Sequence, residues 1–446
     1  MKINKANSNI FKHSFLPFIF VLLITILIAL LNIPIMQTLW SYSFDDGTYS
    51  HAYLIPFIVA YLFYVINKNG ELKYRKTISF PASVLLIMSA YIFFITSTAQ
   101  ISLLYWLGIL LLLCSTIIFI FNANIKIATA ASYFIFLLPV WGVLTIPLQS
   151  ISVLAVNAIM GFTTIPVFVE DEFVQIPSGV FEIAGGCSGL RYLLTSLAIS
   201  TLFSFLYFKT LKNTTIFISV AIVGALLTNW LRISALIIIG YQTEMTSSLM
   251  DDHNMFGWYL YIPFMFLLFK FGGYLADKEK NKPIASKSSD TIQLKIPSLL
   301  LTLILFTVLL FSSTSLRMSA TTVPEVKLID VLVQPTIYNA STVEIITNNS
   351  MKTILIYSFS EDNLESKPTF FENDFIPKNW LIVSNMINNQ DRVIKIKNGL
   401  KTAIITISYE ISGLKIGSSS QFKLERLKQA MFGKTKTKLH WQFKLD

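Results

Sequence analysis

Residues 214–240 read TTIFISVAIVGALLTNWLRISALIIIG, a run whose one charged side chain is Arg232. A helix needs about 20 mostly apolar residues to cross a bilayer, and this run is longer than that. It reads as a membrane span. Further apolar runs lie at about 15–35, 52–66, 79–97, 101–121, 127–148, 191–208, 255–275 and 297–315, which with 214–240 makes about nine spans by the same length rule. The stretch 149–166 is open between a tenth span and an amphipathic helix lying on the membrane surface. Composition points the same way: of 446 residues, 54% are hydrophobic and only 13% charged, about half the charged share of an average soluble domain. That excludes a disordered chain, a collagen and a simple cytosolic enzyme. Two cysteines are too few for a disulfide-rich secreted scaffold.

The net charge of +10 does not point to nucleic acid. The cations sit in short clusters between apolar runs, as the positive-inside rule produces. Lys2, Lys5 and Lys12 precede the first run, and further clusters lie at 68–76, around Lys126, at 209–212 and at 278–295. Acidic residues occupy the alternate loops: Asp45 and Asp46, Glu170 to Glu172, and Glu244 with Asp251 and Asp252. Nine spans put the basic segments in the cytoplasm and the acidic loops outside it, together with the tail. No small-residue cleavage site follows the first run, so it reads as a retained anchor.

The expected class is mainly α: a multispan helical membrane domain followed by a small extracytoplasmic α+β domain. The expected division is a membrane domain over 1–277, a cytoplasmic linker over 278–296, a last span over 297–317 and the α+β domain over 318–446. In the tail, alternating apolar stretches predict strands at Thr342–Ile346, Lys352–Phe359, Arg392–Ile396, Thr402–Tyr409 and Leu439–Leu445. The spacing of Phe422, Leu424, Leu427 and Met431 predicts a helix.

Chemistry concentrates in the loop Ile176-Pro-Ser-Gly-Val-Phe-Glu182-Ile-Ala-Gly185-Gly186-Cys187-Ser188-Gly189-Leu190-Arg191. Its glycines allow backbone shapes that other residues resist. Cys187 is placed at or near a helix start, where the helix dipole favours thiolate, and Arg191 lies four residues on, on the same face. The bland alternative is a tight turn with a small apolar cysteine. Cys114, deep in an apolar run, reads as packing. Asn229 and Arg232 share a helix face. A charge within a span costs roughly 2.5–3.5 kcal/mol and marks a functional candidate, unless the side chain merely snorkels to the headgroups. His253, in Asp251-Asp252-His253-Asn254-Met-Phe-Gly257, and His51, in Ser50-His51-Ala-Tyr-Leu-Ile-Pro56, are candidates for proton transfer. A thiolate nucleophile needs a proton partner and a group that stabilises the developing oxyanion, and Cys187, His253 and Arg232 supply those roles at one membrane level. No clustered metal-ligand spacing, phosphate loop or dinucleotide fingerprint is present in the sequence.

These motifs resemble those of the exosortases and the related archaeosortases: Glu182 to Arg191 around the cysteine, Asn229-Trp-Leu-Arg232, and His253-Asn-Met-Phe-Gly257, with a weaker likeness around His51. The likeness covers about residues 15–275. It implies an inner-membrane cysteine protease and transpeptidase of Gram-negative bacteria, with its active site on the periplasmic side and no cofactor. Its partners would be exported proteins bearing a C-terminal signal of a Pro-Glu-Pro-like motif, a membrane helix and a basic cluster. Carried over, Cys187 is the nucleophile, with Arg232 and His253 as stabiliser and acid/base. Glu182, Ser188, Gly189, Arg191, Asn229, Gly257 and His51 are supporting positions. The tail resembles, in size and position, a small periplasmic domain that some exosortases carry in connection with exopolysaccharide systems, whose proteins are then further expected partners. Two other readings stay open: a transporter or polysaccharide-export component that relies on Arg232 and not on Cys187, and a structural anchor that presents the tail.

Overall fold

The computed structural model describes residues 16–44, 48–75, 77–251, 253–280, 305, 307–310, 333–349, 351–433 and 435–446. The chain opens with α1 (Leu16–Leu31) and α2 (Ile33–Phe44), which bend by 96° at their junction. The break has local causes. Pro34 lacks the N–H that would continue the ladder, and at Asn32 the N–H donates to the Ala29 carbonyl at 3.1 Å while its side chain takes the Ile28 carbonyl at 2.7 Å. Next come a 3-10 turn at Ser50–Leu54, α3 (Ile55–Lys68), α4 (Phe80–Thr98), α5 (Ser102–Ile120) and α6 (Ile125–Ser132). Then follow α7 (Thr145–Met160), α8 (Leu190–Tyr207), α9 (Leu211–Gln242), the short α10 (Ser248–Asp251) and α11 (His253–Lys280).

Among the described residues seven helices are long and apolar enough to cross a membrane, or eight if the bent pair α1–α2 counts as one. The expected last span, 297–315, falls largely outside the described residues. One expected span is redrawn. The run 127–148 is divided at Leu138, which is extended (φ −98°, ψ 140°) because Pro139 disfavours a helical residue before it. What results is a short apolar helix, Ile125–Leu137, and a span at Pro139–Met160. Residues 149–160 of the stretch left open at 149–166 therefore form the second half of one helix long and apolar enough to cross a membrane.

A small antiparallel sheet between α7 and α8 was not anticipated. It contains β1 (Phe168–Glu170), β2 (Phe173–Ile176) and β3 (Gly179–Glu182), in that order across the sheet. Val174, Ile176 and Ile183 pack with Val156 and Met160 of α7 and Ile233 and Ile237 of α9, with Cys187 against them.

The C-terminal region is strand-rich, as expected. Its strands are β4 (Thr342–Asn348), β5 (Lys352–Phe359), β6 (Leu381–Ile387), β7 (Arg392–Asn398), β8 (Lys401–Ile411), β9 (Leu414–Ile416) and β10 (Thr437–Leu445), with one helix, α12 (Ser419–Ala430). They form one seven-stranded sheet of order β4-β5-β10-β8-β7-β6, with β9 pairing β8. The C-terminal strand β10 sits between β5 and β8 in antiparallel register. Trp441 and Phe443 are buried there with Leu355, Tyr357, Ile405, Ile407 and the α12 residue Phe422. Phe422 stacks on Tyr409 with ring centroids 5.1 Å apart. The expected strands and late helix are all present; β6 and β9 are additional.

The described elements fall into two compact units. One holds α1, α2 as far as Tyr42, α3 from Phe57 onward, α4, α5, α6 and the C-terminal sheet; the other holds Ser43–Pro56 with the turn at Ser50–Leu54, and everything from Tyr133 through α11. Every candidate site residue lies in the second unit.

Candidate functional site

Cys187 ends a 3-10 turn, Gly185–Cys187, that leads into α8. Its N–H donates to the Ala184 carbonyl at 2.8 Å, and the Ser188 N–H donates to Gly185 at 3.1 Å. The thiol is free and half-buried. Gly189 caps α8 with φ +88°, a left-handed conformation that glycine adopts without steric cost. A Cβ there would also lie 2.9 Å from the Asn229 amide nitrogen. Two constraints thus require glycine, and both serve one contact: the Asn229 side chain donates to the Cys187 carbonyl at 2.8 Å. Ser152 of α7 reinforces it, donating to the buried Ser188 carbonyl at 3.3 Å and accepting from the Asn229 amide at 3.5 Å. Gln149 donates to the Ile183 carbonyl at 2.7 Å. The cysteine loop is therefore pinned to α7 and α9 by side-chain amides and a hydroxyl.

Arg232 lies one turn beyond Asn229 on α9, about 4.5 Å along the axis. It is only 4% exposed, so the snorkelling alternative does not hold. The helix runs on to Gln242, and the guanidinium is turned inward. Its Nη1 donates to the Tyr192 hydroxyl at 3.1 Å, and its carbon lies 5.5 Å from the centre of the Tyr192 ring. Among the described residues, Nε and Nη2 are buried without a hydrogen-bond partner. Each orphaned donor of this kind costs on the order of 1–3 kcal/mol.

Gly257 closes the arrangement from α11. A Cβ on it would sit 1.8 Å from the Tyr192 hydroxyl and 3.0 Å from Arg232 Cδ, so the helix backbone itself packs on the tyrosine–arginine pair. His253 is the first residue of α11, one turn before Gly257 and on the same helix face. Its side chain lies outside the described residues. The start of α8, the second half of α9 and the start of α11 thus meet at Tyr192. Tyr261, one turn beyond Gly257, continues the contact with its ring 4.9 Å from that of Tyr192.

The supporting candidates divide. Ser188, Gly189, Asn229 and Gly257 are buried in this junction. Glu182 is exposed at the end of β3. Arg191 is half-buried at the second position of α8, where its carbonyl accepts from Thr195. His51 is half-buried in the Ser50–Leu54 turn with Nε2 lacking a partner among the described residues; its neighbours Tyr49 and Ala52 pack on Leu190 at the start of α8. Cys114 is free and half-buried within α5. Three participants were not singled out from the sequence. Tyr192 follows directly on a residue that was, and Gln149 and Ser152 are polar residues three apart and so on one face of a mostly apolar helix, the signal that would have found them.

The sequence profile of the transmembrane exosortase family matches residues 39–270, slightly more than half of the chain and every residue of this junction. The chain is a member of the transmembrane exosortase family. No curated protein and no solved structure matches it. In this exosortase the matched segment ends within α11, so the C-terminal sheet lies beyond the family's matched region. Membership gives the multipass membrane character and points to a role in protein sorting at the membrane.

Proposed function

We propose that this exosortase is a cysteine peptidase and transpeptidase of the inner membrane, that Cys187 is its nucleophile, and that the junction faces the periplasm. The observation that carries the reading is Arg232. A buried guanidinium with two donors unpartnered among the described residues, one helix turn from the residue that holds the Cys187 backbone, is a ready donor site for a developing negative oxygen.

The reaction runs as follows. The Cys187 sulfur attacks the scissile carbonyl carbon of an exported protein near its C-terminal, Pro-Glu-Pro-type signal. The carbonyl oxygen becomes an oxyanion and accepts hydrogen bonds from Arg232 Nε and Nη2. The C–N bond then breaks, and the leaving amine takes a proton from His253, which had received it from the thiol. The acyl group remains on sulfur as a thioester. An incoming amine or water attacks it, His253 takes the proton, and the thiol is restored. Tyr192 and Gly257 position Arg232; Asn229, Ser152 and Gly189 position Cys187. Proteins of an exopolysaccharide system are proposed partners of the C-terminal sheet.

The experiment uses an exported reporter carrying a Pro-Glu-Pro-type signal. Cys187→Ala is expected to abolish its processing while the protein still inserts, and His253→Ala is expected to reduce processing more than His51→Ala. Normal processing by Cys187→Ala rejects the nucleophile and favours the transporter reading.

A further inference from the structure

Strand β3 is an edge strand, pairing with β2 on one side only. Pro177 and Ser178 join the two, so Ile176 and Gly179 form the closing pair. In an antiparallel pair the hydrogen-bonded positions alternate. Phe181 and Ile183 therefore bond inward, and the Ile183 N–H donates to Glu172 at 2.8 Å accordingly. The backbone groups of Val180 and Glu182 point to the open edge, where no backbone partner meets them among the described residues. Val180 is 56% exposed. The position of this edge is fixed, because the other strands and Ile183 are packed on α7 and α9 with Cys187 in the same cluster.

The edge leads straight into the cysteine loop, and there the glycines differ. Gly189 and Gly257 are required by what surrounds them. Gly186 is exposed, has no left-handed φ, and a Cβ on it would meet nothing within 4 Å among the described residues. Nothing in the fold described here requires position 186 to be bare. Bare backbone beside a reactive thiol leaves room for another backbone to approach closely.

We propose that the polypeptide substrate binds in extended form as a fourth strand on β3, with its chain passing over Gly186 so that the scissile carbonyl reaches Cys187. This rests on the cysteine-peptidase reading and adds how the substrate is held. Main-chain hydrogen bonds to Val180 and Glu182 supply the affinity, as in other cases of strand addition to an exposed sheet edge. The four residues of β3 span about 13 Å at 3.3 Å per residue, so the site grips about four residues of substrate and tolerates varied side chains.

The test uses the full chain in membranes, with an exported reporter carrying a Pro-Glu-Pro-type signal as probe. Val180→Pro deletes one outward N–H, a change that edge strands accept, and leaves the bonds to β2 in place. Gly186→Ala adds one methyl to open space. Both are expected to lower processing at least tenfold, with melting temperature and labelling of Cys187 by a small thiol reagent unchanged, whereas Val180→Thr, which keeps the N–H, should retain more processing than Val180→Pro. A photo-crosslinking residue at 180 in the Cys187→Ala chain should capture the reporter next to its cleavage site. Wild-type processing by both Val180→Pro and Gly186→Ala overturns strand addition and leaves the peptidase reading intact if Cys187→Ala is still inactive. Normal processing by Cys187→Ala overturns both.

Discussion

Two regions of the molecule bury cations to the same depth and treat them differently. In the unit with the C-terminal sheet, Arg426 is 5% and Lys367 4% exposed. Arg426 donates to the side-chain oxygen of Gln100, in the turn between α4 and α5. The Gln100 amide donates in turn to the carbonyls of Ser360, at 3.0 Å, and Asn363. Lys367 lies 2.5 Å from Ser102 Oγ and 3.6 Å from Glu365, and Glu365 accepts from the hydroxyls of Tyr105 at 3.0 Å and Tyr42 at 3.2 Å. Among the described residues neither Arg426 nor Lys367 has a buried nitrogen without a partner, whereas Arg232, 4% exposed, has two. A buried charge whose bonds are complete within the chain fastens parts together. One left incomplete lowers stability unless something else completes it, and such sites tend to be functional.

The strongest way to break this contrast is to remove each guanidinium. Arg232→Met is expected to reduce reporter processing by about 100-fold or more, the usual scale for an oxyanion donor, with no fall in melting temperature. A large loss of stability would make Arg232 structural, like Arg426. Gly189→Ala comes next: left-handed strain together with the contact on Asn229 should cost roughly 1–3 kcal/mol and displace the cysteine loop, read as slower thiol labelling of Cys187. Arg426→Met leaves the Gln100 side-chain oxygen without its donor, should cost about 1–3 kcal/mol in thermal unfolding, and should lower processing only as far as the folded fraction falls.

Lys367 sharpens the comparison through pH. Burial lowers its pKa to about 8, from the ordinary lysine value of 10.5. Between those values the unfolded chain binds more protons than the folded one. Stability should therefore rise with pH from about 8 to about 10.5 as the burial penalty on the charged lysine is relieved, and should not vary with the titration of Lys367 below that window. Melting curves of Lys367→Met should lack this rise; an equal rise in the variant would place its origin elsewhere. The smallest effect is expected at Cys114, where replacement by alanine should leave reporter processing within twofold of wild type, since a half-buried cysteine in a helix acts as a small apolar residue.

Much of this was legible in the sequence. Length and polarity identify spans such as 214–240, and alternation places the strands of the tail within a few residues. The motif residues Asn229, Ser188, Gly189 and Gly257 all arrive at one junction with the cysteine and arginine. What the sequence hid depends on long-range packing. The division of 127–148 needed the effect of Pro139 to outweigh an unbroken apolar run. Tyr192 carries no local sign that it supports Arg232. The edge strand β6, LIVSNMI, is apolar without clean alternation, and the small sheet at 168–182 is short enough to pass for a loop.

The most direct test of the account is to trap the covalent intermediate. Purified exosortase in lipid nanodiscs would be mixed with the signal-bearing reporter, quenched in acid and measured as intact protein by mass spectrometry. If Cys187 is the nucleophile, the protein gains a mass equal to the acyl fragment, located on Cys187, removed by hydroxylamine and absent in Cys187→Ala. Reporter cleavage with no adduct on Cys187, or an adduct that persists in Cys187→Ala, would contradict it.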